Sequence, residues 1–322
     1  MTVVVETRTV DVQPSDVAPV ATAPCDSWPV ARPSTARALL RAVRPRQWVK
    51  NVLVIAAPLA AGALTAGGTL VNVGITLVMM CVAASATYLL NDLGDVEQDR
   101  VHPTKRFRPI AAGLISDRLA IGAATGFATF AVLLGAALGA AAVATVVTYL
   151  GLTIAYSRRL KHVPFLELGV VAAGFVLRVV AGAAATATPV SVPFLVVVAA
   201  GSLLLATGKR YAEVRELGDQ AAAHRRVLAG YSPAVLERIL MGAAATAVLG
   251  YVGWALSIRA GDPGMVCLLA SIAPFLLAAH RGVGKVFAGD GGDPTELILG
   301  DPLVLSAGGA TALLAIAGLY LS

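Results

Sequence analysis

Residues 119–157 read LAIGAATGFATFAVLLGAALGAAAVATVVTYLGLTIAYS, a run of 39 residues without one charged side chain. About 20 mostly apolar residues are enough for an α-helix to cross the hydrocarbon core of a bilayer. The run therefore predicts two membrane-spanning helices joined by a short turn near Gly135 to Gly139. The composition of the chain agrees, because 57% of its 322 residues are hydrophobic and only 14% are charged, whereas soluble domains carry roughly 25% charged residues.

The same pattern recurs along the chain and predicts an all-α, polytopic membrane protein with nine transmembrane helices. The apolar runs start near residues 51, 71, 112, 138, 164, 190, 235, 264 and 301. Residues 1–36 lack the basic start and the continuous apolar core of a signal peptide. We expect a disordered tail there, followed by one membrane-embedded domain over residues 37–322.

The distribution of Lys and Arg predicts the orientation, because cytoplasmic loops of membrane proteins carry an excess of basic residues. With a cytoplasmic N-terminus, 20 of the 25 basic residues fall in interior segments and one, Arg259, falls in an exterior loop. The interior segments are 32–50, 92–109, 157–163, 209–233 and 280–299. The sequence thus predicts a cell (inner) membrane protein whose active site faces the cytoplasm, and it explains the net charge of +6 without a nucleic-acid partner.

Cysteine and histidine indicate neither a disulfide framework nor a zinc site. The three cysteines (Cys25, Cys81 and Cys267) are widely spaced and form no C-x-x-C pair. The four histidines are scattered as well, so we expect no histidine metal cluster.

A polar stretch, Asn91-Asp-Leu-Gly-Asp-Val-Glu-Gln-Asp99, ends the second predicted span and holds the candidate catalytic residues. Continued as a helix, Asn91, Asp95 and Asp99 fall one turn apart on one face, and Asp92 borders that stripe. Such carboxylates repel one another unless a cation joins them. Oxygen ligands suit Mg²⁺, which keeps several waters and shares its shell with substrate phosphates. The stripe therefore predicts a Mg²⁺ site, the alternative being a solvated patch that only ends the helix.

Basic residues follow at once in Arg100-Val-His-Pro-Thr-Lys-Arg-Phe-Arg-Pro109. Metal-binding acids beside phosphate-binding bases are what a diphosphate substrate requires. The candidates for contacts with substrate are Lys50, Tyr88, Lys105, Arg106, Lys161 and Lys209. The alternative for the basic run is a positive membrane anchor, in which Arg108 in particular only faces lipid headgroups.

Arg178 stands apart from the other cations because it lies inside the apolar run from Leu168 to Pro189. A charge at the centre of a membrane helix is unfavourable by about 2.5–3.5 kcal/mol on insertion scales. We therefore expect Arg178 to bind a substrate anion. The alternative is an internal ion pair with Glu167, at the start of the same span.

These segments resemble the UbiA superfamily of membrane prenyltransferases, a nine-helix fold with the motif N-D-x-x-D-x-x-x-D. Within it, three stretches look like the actinobacterial decaprenyl-phosphate phosphoribosyltransferases. They are R-P-R-Q-W-V-K-N, N-D-x-x-D-x-x-x-D-R-x-H-P-T-K-R-F-R-P-I-A-A-G and G-K-R-Y-A-E. The likeness runs from about Arg41 to the end of the ninth span.

This resemblance implies the transfer of 5-phosphoribose from phosphoribosyl diphosphate to decaprenyl phosphate, for the synthesis of cell-wall arabinan. On the matching positions Asn91 and Asp95 would hold Mg²⁺, and Asp92 and Asp99 would support it. The lysines and Tyr88 would contact phosphates of the sugar donor or of the lipid.

One departure from the wider superfamily concerns a second D-x-x-x-D motif, which aromatic prenyltransferases have after the fourth span. Here that place carries Tyr156-Ser-Arg-Arg-Leu-Lys161, with Glu167 where the phosphoribosyltransferases usually have Asp. Added cations suit two phosphate-bearing substrates better than a prenyl diphosphate with a neutral acceptor. The alternatives are a UbiA-type prenyltransferase acting on an aromatic or quinone precursor and a transporter for an anionic solute. The sequence leaves open the polyprenyl length and the oligomeric state, a homo-oligomer included.

Overall fold

The computed structural model describes residues 34–218, 226–257, 263–290 and 300–321, and every regular element in these ranges is helical. Eight helices are long and apolar enough to cross a membrane. They are α3 (Thr69–Gly94), α5 (Asp117–Leu138), α6 (Ala140–Arg158), α7 (Leu166–Thr186), α8 (Val192–Leu217), α9 (Pro233–Leu256), α10 (Met265–Lys285) and α11 (Pro302–Tyr320). The shorter α-helices are α1 (Thr35–Ala42), α2 (Ala56–Ala60) and α4 (Val96–Val101). The 3₁₀-helices cover Pro45–Ile55, Lys105–Phe107, Leu160–His162 and Arg226–Gly230, and a π-helical turn, Val286–Asp290, follows α10.

Eight of the nine predicted spans coincide with these long helices. The first differs, because the 3₁₀-helix Pro45–Ile55 and the short helix α2 stand where one continuous α-helix was predicted. Pro58 gives a physical reason: without an N–H it cannot continue an α-helical ladder from Val54, yet it fits the first turn of α2. Nine α-helical spans are therefore not confirmed. Most of the predicted tail, and the exterior Arg259, lie outside the described residues.

The turn predicted near Gly135 to Gly139 is confirmed. Gly139 ends α5 and caps α6 with φ 117°, a conformation that glycine adopts without a steric penalty. The 39-residue uncharged run thus folds into two helices.

Helix α3 lies at the centre of the bundle, where it packs against α5, α6 and α7. Its inner face carries fully buried Met79, Met80 and Ala83, which meet Val146 of α6. Small residues let the neighbouring backbones approach closely, as is usual between helices in lipid. This packing fixes the end of α3, where the acidic motif begins.

The C-terminal ends of α3, α6, α8 and α10 lie at one end of the bundle, here called the polar end. Lys161, which follows α6, bonds to Asp95 at the end of α3. Arg215 of α8 donates to the carbonyl oxygen of Phe287, which follows α10. The interior segments predicted from charge therefore come together in space.

Asp301 closes the polar end beside α11. Its carboxylate accepts hydrogen bonds from the backbone N–H groups of Leu303 and Val304, and it forms an ion pair with Arg281 at 3.0 Å. The N–H of Val304, with the nearby Arg281 guanidinium, holds the pKa of Asp301 below its ordinary value. The charged cap joins the start of α11 to the end of α10.

Candidate active site

The acidic motif lies where α3 ends and α4 begins. Asp95 leaves the helical conformation with φ −101° and ψ 6°, and α4 resumes at the next residue. The helical hydrogen-bond pattern continues across this break, because the N–H of Asp95 donates to the carbonyl oxygen of Asn91 and the N–H of Asp99 donates to the carbonyl oxygen of Asp95. The predicted stripe is therefore a kinked helix, and its acidic side chains separate into two groups.

Asp92 and Asp99 form the first group, a network with two arginines. Arg44 Nη2 lies 2.5 Å from Asp92 Oδ1, and Arg108 Nη1 lies 3.2 Å from Asp92 Oδ1 and 2.7 Å from Asp99 Oδ2. Both aspartates are buried, with 2% and 3% of their surface exposed. Two guanidinium groups balance two carboxylates, as burial of charge requires. The alternative in which Arg108 only faces lipid headgroups is wrong.

Arg44 occupies a conformation that needs support from its neighbours. It joins α1 to the 3₁₀-helix Pro45–Ile55 with φ 54° and ψ 63°, in the left-handed region that few non-glycine residues adopt. Its guanidinium lies 5.0 Å from the centroid of the Tyr88 ring, in addition to its contact with Asp92. Tyr88, a predicted substrate contact, is half-buried beneath this cation.

Asp95 belongs to the second group, which remains accessible. Its Oδ1 accepts a hydrogen bond from Lys161 Nζ at 2.6 Å, and the two side chains are 22% and 14% exposed. Lys161 sits in the 3₁₀-helix Leu160–His162, far along the chain from the motif. The structure thus brings together an acid and a base that the sequence analysis assigned to one site.

The donor set at this second group fits Mg²⁺ in a limited way. Within the described ranges, no three His, Cys, Asp or Glu side chains are grouped to hold a metal ion. Among the four predicted polar residues Asn91, Asp92, Asp95 and Asp99, arginines bind Asp92 and Asp99, which leaves the amide of Asn91 and the carboxylate of Asp95 as oxygen donors. Mg²⁺ is commonly held by one or two protein oxygens, with waters and substrate phosphates completing its shell. Asn91 and Asp95 suit that arrangement, in which the substrate supplies much of the coordination.

Arg178 is buried between the helices, with 7% of its surface exposed. Its Nε donates to Asn51 Oδ1 at 2.8 Å, its Nη1 to the carbonyl oxygen of Gly174 at 2.6 Å, and its Nη2 to the hydroxyl of Tyr149 at 3.0 Å. The guanidinium also lies 5.0 Å from the ring centroid of Tyr149. These partners are all neutral, so they accept three hydrogen bonds from the guanidinium without balancing its charge.

Glu167 does not pair with Arg178, so that alternative from the sequence is wrong. Its carboxylate is fully buried and accepts from Arg210 Nε at 2.6 Å and from Arg210 Nη2 at 3.1 Å. Glu213, one turn after Arg210 on α8, binds the same guanidinium at 2.5 Å. The Glu167 carboxylate therefore serves to join α7 to α8.

Tyr231 connects this cluster to the loop before α7. Its hydroxyl donates to Glu167 Oε1 at 3.2 Å and accepts from the backbone N–H of Phe165 at 3.0 Å. Burial raises the pKa of Tyr231 to about 12, and the charge of Glu167 acts in the same direction, against the N–H of Phe165. The hydroxyl is therefore protonated at neutral pH and is a hydrogen-bond donor to Glu167.

The remaining predicted contacts lie on the surface. Lys105 and Arg106 are exposed on the 3₁₀-helix Lys105–Phe107, Lys50 is exposed on Pro45–Ile55, and Lys209 is exposed on α8. The structure does not bring these four side chains against Asp95.

Sequence reasoning missed the roles of Arg44, Tyr149, Arg210 and Tyr231. Two of these positions had a visible signal: Arg44 opens the first basic stretch, and Arg210 directly follows Lys209 in the third. Tyr149 and Tyr231 had none, because a tyrosine in or beside an apolar run is ordinarily part of the core.

Comparison with known proteins places the chain in a family. Residues 52–288 match the model of the UbiA prenyltransferase family, and the chain belongs to that family. A solved UbiA homolog from Archaeoglobus fulgidus, bound to GPP and Mg²⁺, shares the fold with a TM-score of 0.64 at 18% identity. That alignment covers 88% of this chain and 99% of the archaeal chain.

Two curated relatives are more similar in sequence. The chain is 42% identical to the decaprenyl-phosphate phosphoribosyltransferase of Corynebacterium glutamicum, over 83% of this chain and 82% of the relative. It is 41% identical to the decaprenyl-phosphate phosphoribosyltransferase of Mycobacterium tuberculosis, over 82% of this chain and 88% of the relative. The similarity therefore extends across nearly the whole membrane-embedded part.

Proposed function

We propose that this protein transfers 5-phosphoribose from phosphoribosyl diphosphate to decaprenyl phosphate, or a similar polyprenyl phosphate, and releases diphosphate. The product feeds the synthesis of cell-wall arabinan. The observation that carries the proposal is the contact of Lys161 with Asp95 at 2.6 Å. It puts a lysine beside the accessible carboxylate of Asp95, in a chain about 40% identical to phosphoribosyltransferases over most of its length.

The balance of charge favours a donor and an acceptor that both carry phosphate. Lys161 stands where aromatic prenyltransferases have acidic residues, and Glu167 is already bound by Arg210. No second acidic pair is thus left in the described part of this loop to hold further metal. Lys50, Lys105, Arg106 and Lys209 add positive charge, which suits two anionic substrates.

In this proposal the donor diphosphate lies at the polar end. Asn91 and Asp95 would hold Mg²⁺, which when bound neutralises charge on the departing diphosphate. Lys161 binds an oxygen of the same diphosphate, while Lys105 and Arg106 draw the anionic donor toward the motif. Asp92 and Asp99 support the site by holding Arg44 and Arg108.

The reaction is a single displacement at the anomeric carbon of the ribose. An oxygen of the lipid phosphate attacks, the bond from C1 to the diphosphate oxygen breaks, and its electron pair leaves with the diphosphate. The attacking phosphate is already an anion, so the step needs no general base. The configuration at C1 therefore inverts.

Arg178 and Lys50 are the residues assigned to the lipid phosphate. The described partners of this buried guanidinium are all neutral, so none of them balances its positive charge. An unbalanced charge is strongly unfavourable in an apolar medium. A phosphate would balance it. The polyprenyl chain then extends into the apolar space between or beside the helices.

The proposed topology has nine crossings of the cell (inner) membrane. The N-terminus and the active site both face the cytoplasm. Arg44 contacts Asp92 at the polar end, whereas the N–H of Leu64 donates to the hydroxyl of Tyr320 at the other end of α11. The chain between residues 44 and 64 thus travels from one end of the bundle to the other. The predicted tail is shorter than residues 1–36, because Thr35 and Ala36 belong to α1; a separate tail before Ser34 and a homo-oligomer stay predictions.

An assay of the purified protein tests the activity. We expect Mg²⁺-dependent transfer of label from phosphoribosyl diphosphate to polyprenyl phosphates, with loss of turnover in EDTA and an inverted product. Asp95→Ala should lower turnover by more than about 100-fold, since even outer partners of a metal contribute 10–100-fold. Glu97→Ala is the control, because that side chain is 86% exposed and contacts only Arg100 among the described ion pairs.

Three results would contradict the proposal. Labelled prenyl diphosphate consumed with an aromatic acceptor, in place of phosphoribosyl diphosphate, would identify the alternative prenyltransferase. Uptake of an anionic solute without a covalent product would identify a transporter. Normal turnover by Asp95→Ala would remove the assigned metal ligand.

A further inference from the structure

The segment that carries Lys161 ends in a strained turn at Phe165. This residue has φ 63° and ψ −44°, and the N–H of Leu166 donates to the carbonyl oxygen of Pro164 at 2.7 Å. A hydrogen bond across three residues, with a positive φ at the middle one, defines a γ-turn of the rare and strained form. Such a conformation persists in a non-glycine residue only where the surrounding structure holds it.

Tyr231 and its neighbour supply that support. The Tyr231 hydroxyl accepts the N–H of Phe165 at 3.0 Å, and the two rings pack edge to face with centroids 5.2 Å apart. Gly230 lies so close that a Cβ there would be 2.3 Å from Cγ of Pro164. Gly230 and Tyr231, which precede α9, are therefore in direct van der Waals contact with the turn.

The hydroxyl of Tyr231 is itself fixed in place. It donates to Glu167, and Arg210 holds that carboxylate with two hydrogen bonds. The described hydrogen bonds of Tyr231 do not include Lys161 or Asp95. Any effect of this residue on the site therefore passes through its own partners, and Phe165 is the one nearer to Lys161 along the chain.

The path from the turn to the site is short. Lys161 lies four residues before Phe165, in the 3₁₀-helix Leu160–His162. The N–H of Glu167 donates to the carbonyl oxygen of Val163 at 3.1 Å, which ties this stretch to the first turn of α7. The backbone conformation of the turn therefore sets the position of residues 160–163, and with it the distance between Lys161 and Asp95.

We infer that Tyr231 is a positioning residue for Lys161: its hydroxyl holds the γ-turn at Phe165, and the turn holds residues 160–163 where Lys161 meets Asp95. The inference rests on the proposed function, in which Lys161 binds the donor diphosphate. Tyr231 thereby links the segment before α9 to donor binding without touching the donor.

The first test is Tyr231→Phe, which removes the hydroxyl and keeps the ring. The KM for phosphoribosyl diphosphate rises about tenfold, as expected when the hydrogen bond that holds the Phe165 turn is lost, and kcat and the KM for polyprenyl phosphate stay within about twofold. In a Lys161→Ala background the same change has no further effect on that KM. Tyr251→Phe is the matched control, because the Tyr251 hydroxyl shares a 2.7 Å hydrogen bond with Ser271 away from this cluster.

The second test measures the conformation directly, in detergent-solubilised protein digested with trypsin. Cleavage after Arg158, Arg159 and Lys161 becomes faster in Tyr231→Phe and stays at the wild-type rate in Tyr251→Phe. Phe165→Gly supplies a rescue, since glycine adopts a positive φ without strain. In that background Tyr231→Phe changes the KM by less than about twofold.

The outcomes separate the two proposals. Wild-type KM and wild-type cleavage in Tyr231→Phe would overturn the inference and leave the proposed function standing. Absence of phosphoribosyl transfer in the wild-type protein would overturn the proposed function, and the trypsin result would still decide whether Tyr231 holds the segment. An additive effect in the Lys161→Ala background would overturn the path through Lys161.

Discussion

Asp92, Asp95 and Asp99 belong to one motif, yet burial gives them different surroundings. Asp92 and Asp99 are almost fully buried and bound by arginines, and a buried carboxylate is tolerated when such partners balance it. The side chain of Asp95 is 22% exposed and is bound by a lysine, which is mobile enough to follow a substrate phosphate. The exposed carboxylate is therefore the one suited to binding, and the buried pair is suited to holding the loop in place.

Arg108→Lys tests the structural role of that network. A lysine cannot present the planar fork with which Arg108 reaches two carboxylates. We expect the free energy of unfolding to fall by about 1–3 kcal/mol, because a lysine cannot make both hydrogen bonds and one charge-assisted bond to a buried carboxylate is lost. Thermal unfolding in detergent measures the change.

The matched control for this substitution is Arg100→Lys. Arg100 is exposed and makes one described ion pair, a 3.5 Å contact with Glu97. A change at such a surface position stays within about 0.5 kcal/mol. Equal stability of the two variants would show that bridging by Arg108 contributes nothing.

At the scale of elements, the segment formed by residues 45–60 depends on one glycine of α7. A Cβ at Gly182 would lie 1.8 Å from the carbonyl oxygen of Val54, so the two backbones are in direct contact there. The same segment carries Asn51, which binds Arg178 on α7. This close contact therefore positions a polar group of the proposed lipid-phosphate site.

Gly182→Ala tests that dependence. The added methyl group pushes the 45–60 segment away from α7, and overpacking of this kind lowers stability by about 1–3 kcal/mol or more. Gly169→Ala is the control on the same helix, since nothing lies within 4 Å of a Cβ built there. We expect Gly169→Ala to be neutral or stabilising through helix propensity.

Two measurements distinguish these alanine variants, thermal unfolding and the KM for polyprenyl phosphate. Gly182→Ala should unfold at lower temperature and bind the lipid more weakly, because Asn51 moves away from Arg178. If both variants unfold at the same temperature, the close approach of Val54 to α7 is not needed for the fold.

The long apolar elements could be predicted from sequence because their signal is local: an uncharged run of sufficient length is a helix in lipid. The 45–60 segment could not, since its form depends on Pro58 and on contact with Gly182, which is far along the chain. The acidic motif was recognised by its spacing. Its division into Asp92 with Asp99, and Asp95 alone, depends on Arg44, Arg108 and Lys161, whose partners only the folded chain reveals.

At the scale of the whole molecule, opposite ends of the bundle differ in chemistry. The polar end collects the acidic motif, Lys161, the Glu167–Arg210 pair and Asp301. In the proposed function, such an end attracts an anionic donor from the aqueous phase, and the apolar lateral surfaces of the helices face lipid. A water-soluble sugar donor and a membrane-bound acceptor can meet only where these two environments join, and Asp95 and Arg178 mark the two sides of that boundary.

The number of crossings is the remaining question at this scale, and it depends on residues 45–60. Eleven residues of 3₁₀-helix and five of α-helix span about 30 Å, the thickness of the hydrocarbon core. If the segment crosses, residue 34 lies on the same side as the end of α8 and opposite to the end of α11. A reporter enzyme that is active only outside the cytoplasm should then be inactive when it is fused before Ser34 or after Gly218. It should be active after Thr188 and after Leu321. Activity before Ser34, with the other three fusions as expected, would mean eight crossings and would leave Arg44 on the side of the membrane opposite to Asp92, in conflict with their ion pair.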